Sequence, residues 1–151
     1  MNIYKALEIL RKSKIPVFKT VDIARKLKIS KNNTNVYIKR MVDKGMLYRI
    51  SKGFYSLEND PILYASYIVP NSYISFNSAL YLRKKINQIP AVIQVAVPKR
   101  IKKNIEGVEF IPLPKKMIKD FTRLNYKGYS IWVATAKKAK EDIKYKFGGK
   151  K

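Results

Sequence analysis

The sequence has 151 residues, of which 33 are Lys or Arg and 10 are Asp or Glu, and it contains neither Cys nor His. These counts exclude disulfide bonds, Cys/His zinc sites and nucleophilic catalysis through a Cys–His pair or a Ser–His–Asp triad. The net charge of +23 favours a polyanionic partner, and nucleic acid is the most common polyanion.

The first 30 residues predict two amphipathic helices. Over residues 2–13, four apolar side chains recur at the spacing of one helical face. They are Ile3, Ala6, Leu7 and Leu10. The pair Val17-Phe18 favours a short extended segment. Thr20 is then expected to be the N-cap of a helix over residues 21–28, with Asp22 in its positive first turn.

A third helix and a hairpin follow. Ser30 can cap a helix from about Lys31 to Lys44, and Gly45 can end it as a C′ glycine. Residues 46–50 and 54–57 have the composition of strands and flank a turn. Three short helices followed by a basic hairpin form a winged helix-turn-helix, so residues 1–57 are predicted to be a DNA-binding domain.

At 100° per residue, the third helix has an apolar side and a polar side. Thr34, Ile38, Met41 and Val42 are predicted to face the core. The opposite side carries Asn32, Asn33, Val36, Lys39, Arg40 and Asp43. Asn can pair with adenine, Arg or Lys can pair with guanine or phosphate, and valine can contact a thymine methyl group. A solvated polar face with a tolerated surface valine is the alternative, but the position of this helix favours base recognition.

The hairpin supplies further candidate contacts, because its tip carries two cations and a turn glycine. Phe54 is expected in the core, whereas Tyr55 can face either the core or DNA. The predicted DNA-binding residues are Thr20, Lys31, Asn32, Asn33, Asn35, Val36, Lys39, Arg40, Arg49, Ser51, Lys52 and Tyr55.

Turn composition at residues 58–61 marks a domain boundary, and residues 58–151 predict a small mixed α/β domain. Helices are expected over 61–69, 75–85 and 136–146, and strands over 73–74, 91–97, 108–113, 121–126 and 129–135. The fold class is therefore α+β. A basic loop offers a second set of phosphate contacts, although a solvated loop is equally compatible with its composition. Its cations are Lys99, Arg100, Lys102 and Lys103.

Both domains are basic, with 14 basic against 3 acidic residues up to residue 57 and 19 against 7 after it. An A/T-rich genome could raise the lysine content by itself. Such a genome would also raise glutamate, and only five Glu are present. The charge therefore points to a polyanion rather than to codon usage.

An enzyme is the competing class. Asp142-Ile143-Lys144 fits the acid-x-Lys fragment of some metal-dependent nucleases, and Glu106 and Glu109 could add ligands for Mg²⁺. Glu141 and Asp142 more simply look like surface charges on a helix. No glycine-rich phosphate loop is present. We therefore expect no enzymatic activity, no catalytic residue, no metal and no cofactor.

Several motifs resemble AbiEi-type antitoxins, also described as predicted transcriptional regulators of viral defence systems. In the first domain they are Val21-Asp22-Ile23-Ala24, Val36 to Val42, Lys44-Gly45 and Lys52-Gly53-Phe54-Tyr55. In the second they are Tyr73 to Leu80, Gln88-Ile89-Pro90 with Val95 to Pro98, and Ala134 to Ala139 with Asp142. Members often read Pro-Glu where this chain has Ala136-Lys137, and longer members continue with more helices.

The resemblance implies a DNA-binding autorepressor that partners a nucleotidyltransferase-like toxin. We expect a sequence-specific repressor of the antitoxin type, which reads the major groove of double-stranded DNA with helix 31–44 and contacts the backbone or minor groove with the wing 49–55. An antitoxin that acts mainly by binding its toxin, and a stand-alone regulator of the same fold, are the alternatives. A homodimer is a further candidate assembly.

The sequence contains neither a stretch of about 20 apolar residues nor a signal-peptide pattern at its start. We therefore expect no membrane partner and a cytoplasmic location.

Overall fold

The computed structural model describes residues 1–148, so the last three residues of the predicted second domain lie outside the described residues. The chain divides into two compact units, Met1–Asp60 and Pro61–Lys151, here called the N-terminal and C-terminal units. Each unit combines helices with a sheet, which confirms the predicted α+β class.

The N-terminal unit contains three helices and three short strands. In chain order they are α1 (Ile3–Lys12), β1 (Val17–Lys19), α2 (Thr20–Leu27), α3 (Lys31–Asp43), β2 (Tyr48–Ser51) and β3 (Phe54–Ser56). Strands β1 and β2 both pair antiparallel with β3, which lies in the middle of the sheet. This order of helices and hairpin is the winged helix-turn-helix that the sequence predicts.

The apolar faces of the three helices meet in one core. All four apolar residues predicted for α1 are buried there. The other buried members are Phe18, Ile23, Leu27, Ile38, Met41 and Leu47. Helix α3 begins at its predicted cap, where Ser30 Oγ accepts a hydrogen bond of 3.2 Å from the backbone N–H of Asn33. It ends before Gly45, whose φ of +71° suits a residue without a side chain.

The start of α2 differs from the prediction. Lys19, in extended conformation, is the N-cap, and Thr20 is the first helical residue. The backbone N–H of Lys19 donates a hydrogen bond of 2.9 Å to Asp22 Oδ2. The capping group therefore lies inside the first turn, because a carboxylate at the third helical position can reach back to the N-cap amide.

The position of Phe54 differs from the expected one, and Tyr55, for which two positions were expected, packs against the core. Tyr55 lies opposite the buried Phe18 in the β1–β3 ladder, and it packs against the core. Phe54 lies opposite Lys19 and is only half-buried, so its expected place in the core is wrong. Successive strand residues point to opposite faces, which means that only one of these two neighbours can face the helices.

The C-terminal unit is built around a five-stranded mixed sheet. Its elements are α4 (Pro61–Tyr64), a 3₁₀ turn (Ala65–Tyr67), β4 (Tyr73–Ile74), α5 (Phe76–Leu82), β5 (Ile93–Val97), β6 (Val108–Pro112), a 3₁₀ turn (Lys115–Met117), β7 (Phe121–Tyr126), β8 (Tyr129–Ala134) and α6 (Ala136–Lys146). The strand order is β6-β5-β4-β8-β7. The pairs β5–β6 and β4–β8 are parallel, and β4–β5 and β7–β8 are antiparallel.

Three elements of this unit are shorter than predicted by two or more residues. The helix expected over 61–69 becomes a 3₁₀ turn after Tyr64, where Ser66 Oγ accepts a hydrogen bond from the Trp132 N–H. Helix α5 ends early because Lys84 adopts a left-handed conformation. Strand β5 begins only at Ile93, since the preceding Val92 carbonyl accepts a hydrogen bond from Ser78 Oγ.

A buried polar cluster joins α6 to the sheet. Asp142, expected to be a surface charge, is 0% exposed, and Lys138 Nζ lies 2.9 Å from its Oδ1 atom. Asp142 Oδ2 accepts hydrogen bonds from Ser75 Oγ (2.6 Å) and Tyr73 OH (3.0 Å). Burial raises the pKa of Tyr73 above its usual value, and the charge and hydrogen bond of Asp142 raise it further. The phenol therefore remains a hydrogen-bond donor, and the carboxylate is solvated by protein groups rather than by water.

Removal of the Asp142 carboxylate should destabilise the C-terminal unit. Asp142→Ala leaves Lys138 buried without its partner, which typically costs about 3–5 kcal/mol of unfolding free energy. Denaturant unfolding followed by circular dichroism measures this loss. The matched control is Glu141→Ala at the exposed neighbouring residue, which should change stability by less than about 0.5 kcal/mol. Equal stability of the two variants would show that the buried pair is not needed for folding.

Candidate nucleic-acid interface

Helix α3 presents one face to the core and the other to solvent. Thr34 and Met41 are fully buried and Ile38 is 5% exposed, as the helical spacing predicts. The six residues predicted for the outer face are all exposed, and Val36 at its centre is 49% exposed. The fourth residue predicted for the inner face, Val42, is half-buried against the core.

Two side chains of α3 outside its outer face form hydrogen bonds, one within the helix and one to the start of the chain. Thr34 Oγ1 donates to the Ser30 carbonyl at 2.8 Å, so the threonine hydroxyl is satisfied inside the unit. The Tyr37 hydroxyl donates to the Met1 carbonyl at the start of the chain. The Tyr37–Met1 bond and the buried residues of the inner face hold the outer face toward solvent without using any of its side chains.

The outer face is basic, and its one carboxylate is already paired. Lys39 Nζ lies 3.2 Å from Asp43 Oδ2, and both side chains are exposed. An exposed pair one helical turn apart contributes about 0.3–0.5 kcal/mol. Lys39 can therefore leave Asp43 for a phosphate at little cost. Arg40, the neighbouring cation, is also exposed.

A groove between α3 and the hairpin brings four predicted residues together. In the β2–β3 ladder, Arg49 lies opposite Tyr55, so both side chains are on the sheet face that packs toward the helices. Both line a groove with Asn35 and Lys39 of α3. The groove thus combines two cations, an amide and a phenol, which are groups that bind phosphates and base edges, with the Asp43 carboxylate that is paired with Lys39.

The remaining predicted residues lie toward the tip of the hairpin. Thr20 and Lys31, at the starts of α2 and α3, line one shallow depression with Gly53 of the turn. Gly53 has a φ of +81°, a conformation that favours glycine. Lys52 beside it is exposed, and Ser51 is half-buried.

Three further residues that were not among the predicted contacts line this depression. They are Lys19, Val21 and Ala24, and Val21 is 58% exposed. The Lys19 ammonium lies 5.6 Å from the centre of the Phe54 ring. Lys19 directly precedes α2 and lies next to the hairpin only because β1 pairs with β3. The sequence would indicate this position only if that strand pairing were known.

Residues 1–57 carry a large positive net charge, because they contain many more basic than acidic side chains. Each of the three acids in residues 1–57 forms an ion pair with a base one helical turn away. The pairs are Glu8–Lys12, Asp22–Arg25 and Asp43–Lys39. Since residues 1–57 contain 14 bases, most of the positive charge is not balanced by a carboxylate of this segment.

The second predicted set of phosphate contacts belongs to the C-terminal unit. Lys99, Arg100, Lys102 and Lys103 are exposed in the connection between β5 and β6. The buried Ile105 anchors this connection.

The nuclease-like fragment does not form a site. Asp142 is buried whereas Lys144 is exposed, so the two side chains leave α6 in different directions. In residues 1–148, no three carboxylates are placed to hold one metal ion. Over the same residues, every helix is too short or too polar to span a lipid bilayer.

Comparison with known proteins assigns the first unit. No curated protein matches the sequence. Residues 5–57 match the family model described as transcriptional regulator, AbiEi antitoxin. The matched region covers α1 to β3, including α3 and the hairpin. Residues 5–57 are therefore similar to transcriptional regulators described as AbiEi antitoxins, and this similarity covers the whole winged helix-turn-helix.

Proposed function

We propose that the protein is a sequence-specific repressor that binds double-stranded DNA with α3 in the major groove. The observation that carries this proposal is the exposed outer face of α3, where amides, cations and a valine lie opposite an inner face that is packed against the core. The width of the major groove admits an α-helix, and its base edges match these side chains.

The residues on this face take different roles. The N-terminal residues of a recognition helix usually contact base edges, so Asn32 and Asn33 pair with adenine. Val36, one turn later, contacts a thymine methyl group. Lys39 and Arg40 lie farther along the helix and contact phosphate or guanine.

The hairpin acts as the wing. Arg49 and Tyr55 in the groove beside α3, together with Lys52 at the turn, contact the DNA backbone or the minor groove. Ser51, Thr20, Lys31 and Asn35 complete the contact surface. The basic connection between β5 and β6 adds phosphate contacts, and a homodimer would read two half-sites of a palindromic operator.

The family description favours a second function, because an antitoxin has a toxin as its partner. The matched region is confined to residues 5–57, which makes the C-terminal unit the candidate for toxin binding. The toxin implied by the resemblance is nucleotidyltransferase-like. Co-purification with a toxin encoded beside this gene would favour this function over a regulator that acts alone.

Substitution of Asn33 should relax sequence discrimination. Asn33→Ala should weaken binding to the preferred site by about 1–3 kcal/mol and reduce the preference at one base pair. The site is found by selection from random duplexes, and affinities are measured by fluorescence anisotropy. Lys39→Ala is the comparison, since loss of a phosphate contact should weaken all sequences alike and lower the salt slope by about one. If the two variants behave identically, α3 does not read bases through Asn33.

Substitution of Val36 should affect DNA recognition but not folding. Val36→Ser changes an exposed side chain, so unfolding free energy should shift by less than about 0.5 kcal/mol. It should weaken sites with thymine at the contacted position more than sites with uracil there, since uracil lacks the methyl group. Equal losses on thymine and uracil would exclude the methyl contact.

The basic connection should contribute to the salt dependence. Replacing Lys99, Arg100, Lys102 and Lys103 with Ala should reduce the slope of log K against log salt by about three to four, at about 0.9 per phosphate. The control replaces four exposed lysines of α6 with Ala: Lys137, Lys140, Lys144 and Lys146. If both quadruple variants reduce the slope of log K against log salt equally, the reduction results from the lower net charge and not from contacts of this connection.

A further inference from the structure

The C-terminal unit contains a groove that the DNA-binding role does not use. It lies between the end of α5 and β7, which is an edge strand of the sheet. Tyr81 lies on the helix side and Tyr126 on the strand side. The cavity volume is about 590 Å³, within the range of about 300–1,000 Å³ that is common for small-ligand sites.

Hydrogen bonds hold the two walls of this groove in place. Arg83 Nη2, at the end of α5, donates to Thr122 Oγ1 of β7 at 2.8 Å and to the Val133 carbonyl at 2.9 Å. Arg83 Nε donates to the Ala134 carbonyl at 3.1 Å. The next residue, Lys84, has a φ of +64°, and its N–H donates to the Tyr81 carbonyl. The groove is therefore preformed, which lowers the entropic cost of binding a ligand.

The groove combines flat rings, amides and positive charge. Tyr81 and Tyr126 are each half-buried, so part of each side chain remains accessible. The exposed residues Asn87 and Lys84 line the groove, and so does Asn125, whose Oδ1 accepts a hydrogen bond of 3.3 Å from the Gly128 N–H in the β7–β8 turn. The Lys127 ammonium lies 5.4 Å from the centre of the Tyr126 ring. None of the residues that line the groove carries a carboxylate.

We propose that this groove binds an unpaired nucleotide. The base stacks on the tyrosine rings, the amide of Asn87 contacts its polar edge, and Lys84 and Lys127 bind the phosphate. Bases inside a duplex are stacked on each other and cannot present their faces to a ring. The ligand is therefore a free nucleotide or a nucleotide within a single strand, and its binding is independent of the role proposed for α3.

The test uses the full-length protein and a fluorescently labelled 15-residue oligothymidine, which forms no duplex. Tyr126→Leu and Tyr81→Leu remove a ring but keep apolar bulk, and each should weaken binding about 5- to 100-fold, as expected for the loss of a base–ring stack. Tyr145→Leu is the matched control, because Tyr145 is an exposed tyrosine of α6 that does not line the groove. This control should bind like the unmodified protein.

Two further measurements distinguish the loss of a base–ring contact from the misfolding of a variant. Tyr126→Phe keeps the ring and should retain binding. An abasic strand of the same length needs no protein variant, and it should bind at least about 5-fold more weakly than oligothymidine because it has no bases to stack. Equal binding of the abasic strand and oligothymidine would overturn the proposal. Equal binding of the groove variants and Tyr145→Leu would overturn it as well. In either case, positive charge alone would account for the binding of the strand.

Competition experiments with unlabelled ligands distinguish a free nucleotide from a nucleotide within a strand. Displacement of the labelled strand by thymidine monophosphate identifies a free nucleotide as a ligand, and displacement by unlabelled oligothymidine alone identifies the strand. Asn33→Ala should leave both results unchanged, which separates this site from the duplex-binding function.

Discussion

The packing of α3 against the apolar core determines which side chains the protein can offer to DNA. Thr34, Ile38 and Met41 are buried at successive turns, and the Thr34 hydroxyl is satisfied by the Ser30 carbonyl. A rotation of the helix that buried Val36 would expose Ile38, which would lose about 1.5–3 kcal/mol of burial energy. The core therefore determines which face of α3 is exposed, and this is the face for which we propose DNA recognition.

Lysine has two different roles in the two units. Lys138 is 2% exposed and forms an ion pair with Asp142, at a position where the loss of one partner leaves a buried charge. Lys39 forms an exposed pair that contributes little and can be exchanged for a phosphate. The net charge of the chain is thus a poor guide to the role of a given lysine, whereas burial separates the two roles.

Local patterns predicted most elements, and contacts distant in sequence account for most errors. Periodicity gave the buried face of α1 and the bounds of α6, because both depend on neighbours three and four residues apart. The strand order of the C-terminal unit, the orientation of Phe54 and the short α5 depend on strand pairing or on a left-handed residue. Asp142 was mistaken for a surface charge because its partners Tyr73 and Ser75 are more than 60 residues away. The groove between α5 and β7 could not be predicted for the same reason.

The most direct test of the central claim maps the position of α3 on DNA. Because the chain contains no Cys, Val36→Cys creates a single attachment point for a chelated iron that cleaves nearby DNA. If α3 lies in the major groove, cleavage of the selected site should be confined to a few base pairs around the contacted position, on both strands. Cleavage spread evenly along the duplex, or no cleavage while the protein remains bound, would contradict recognition by this face of α3.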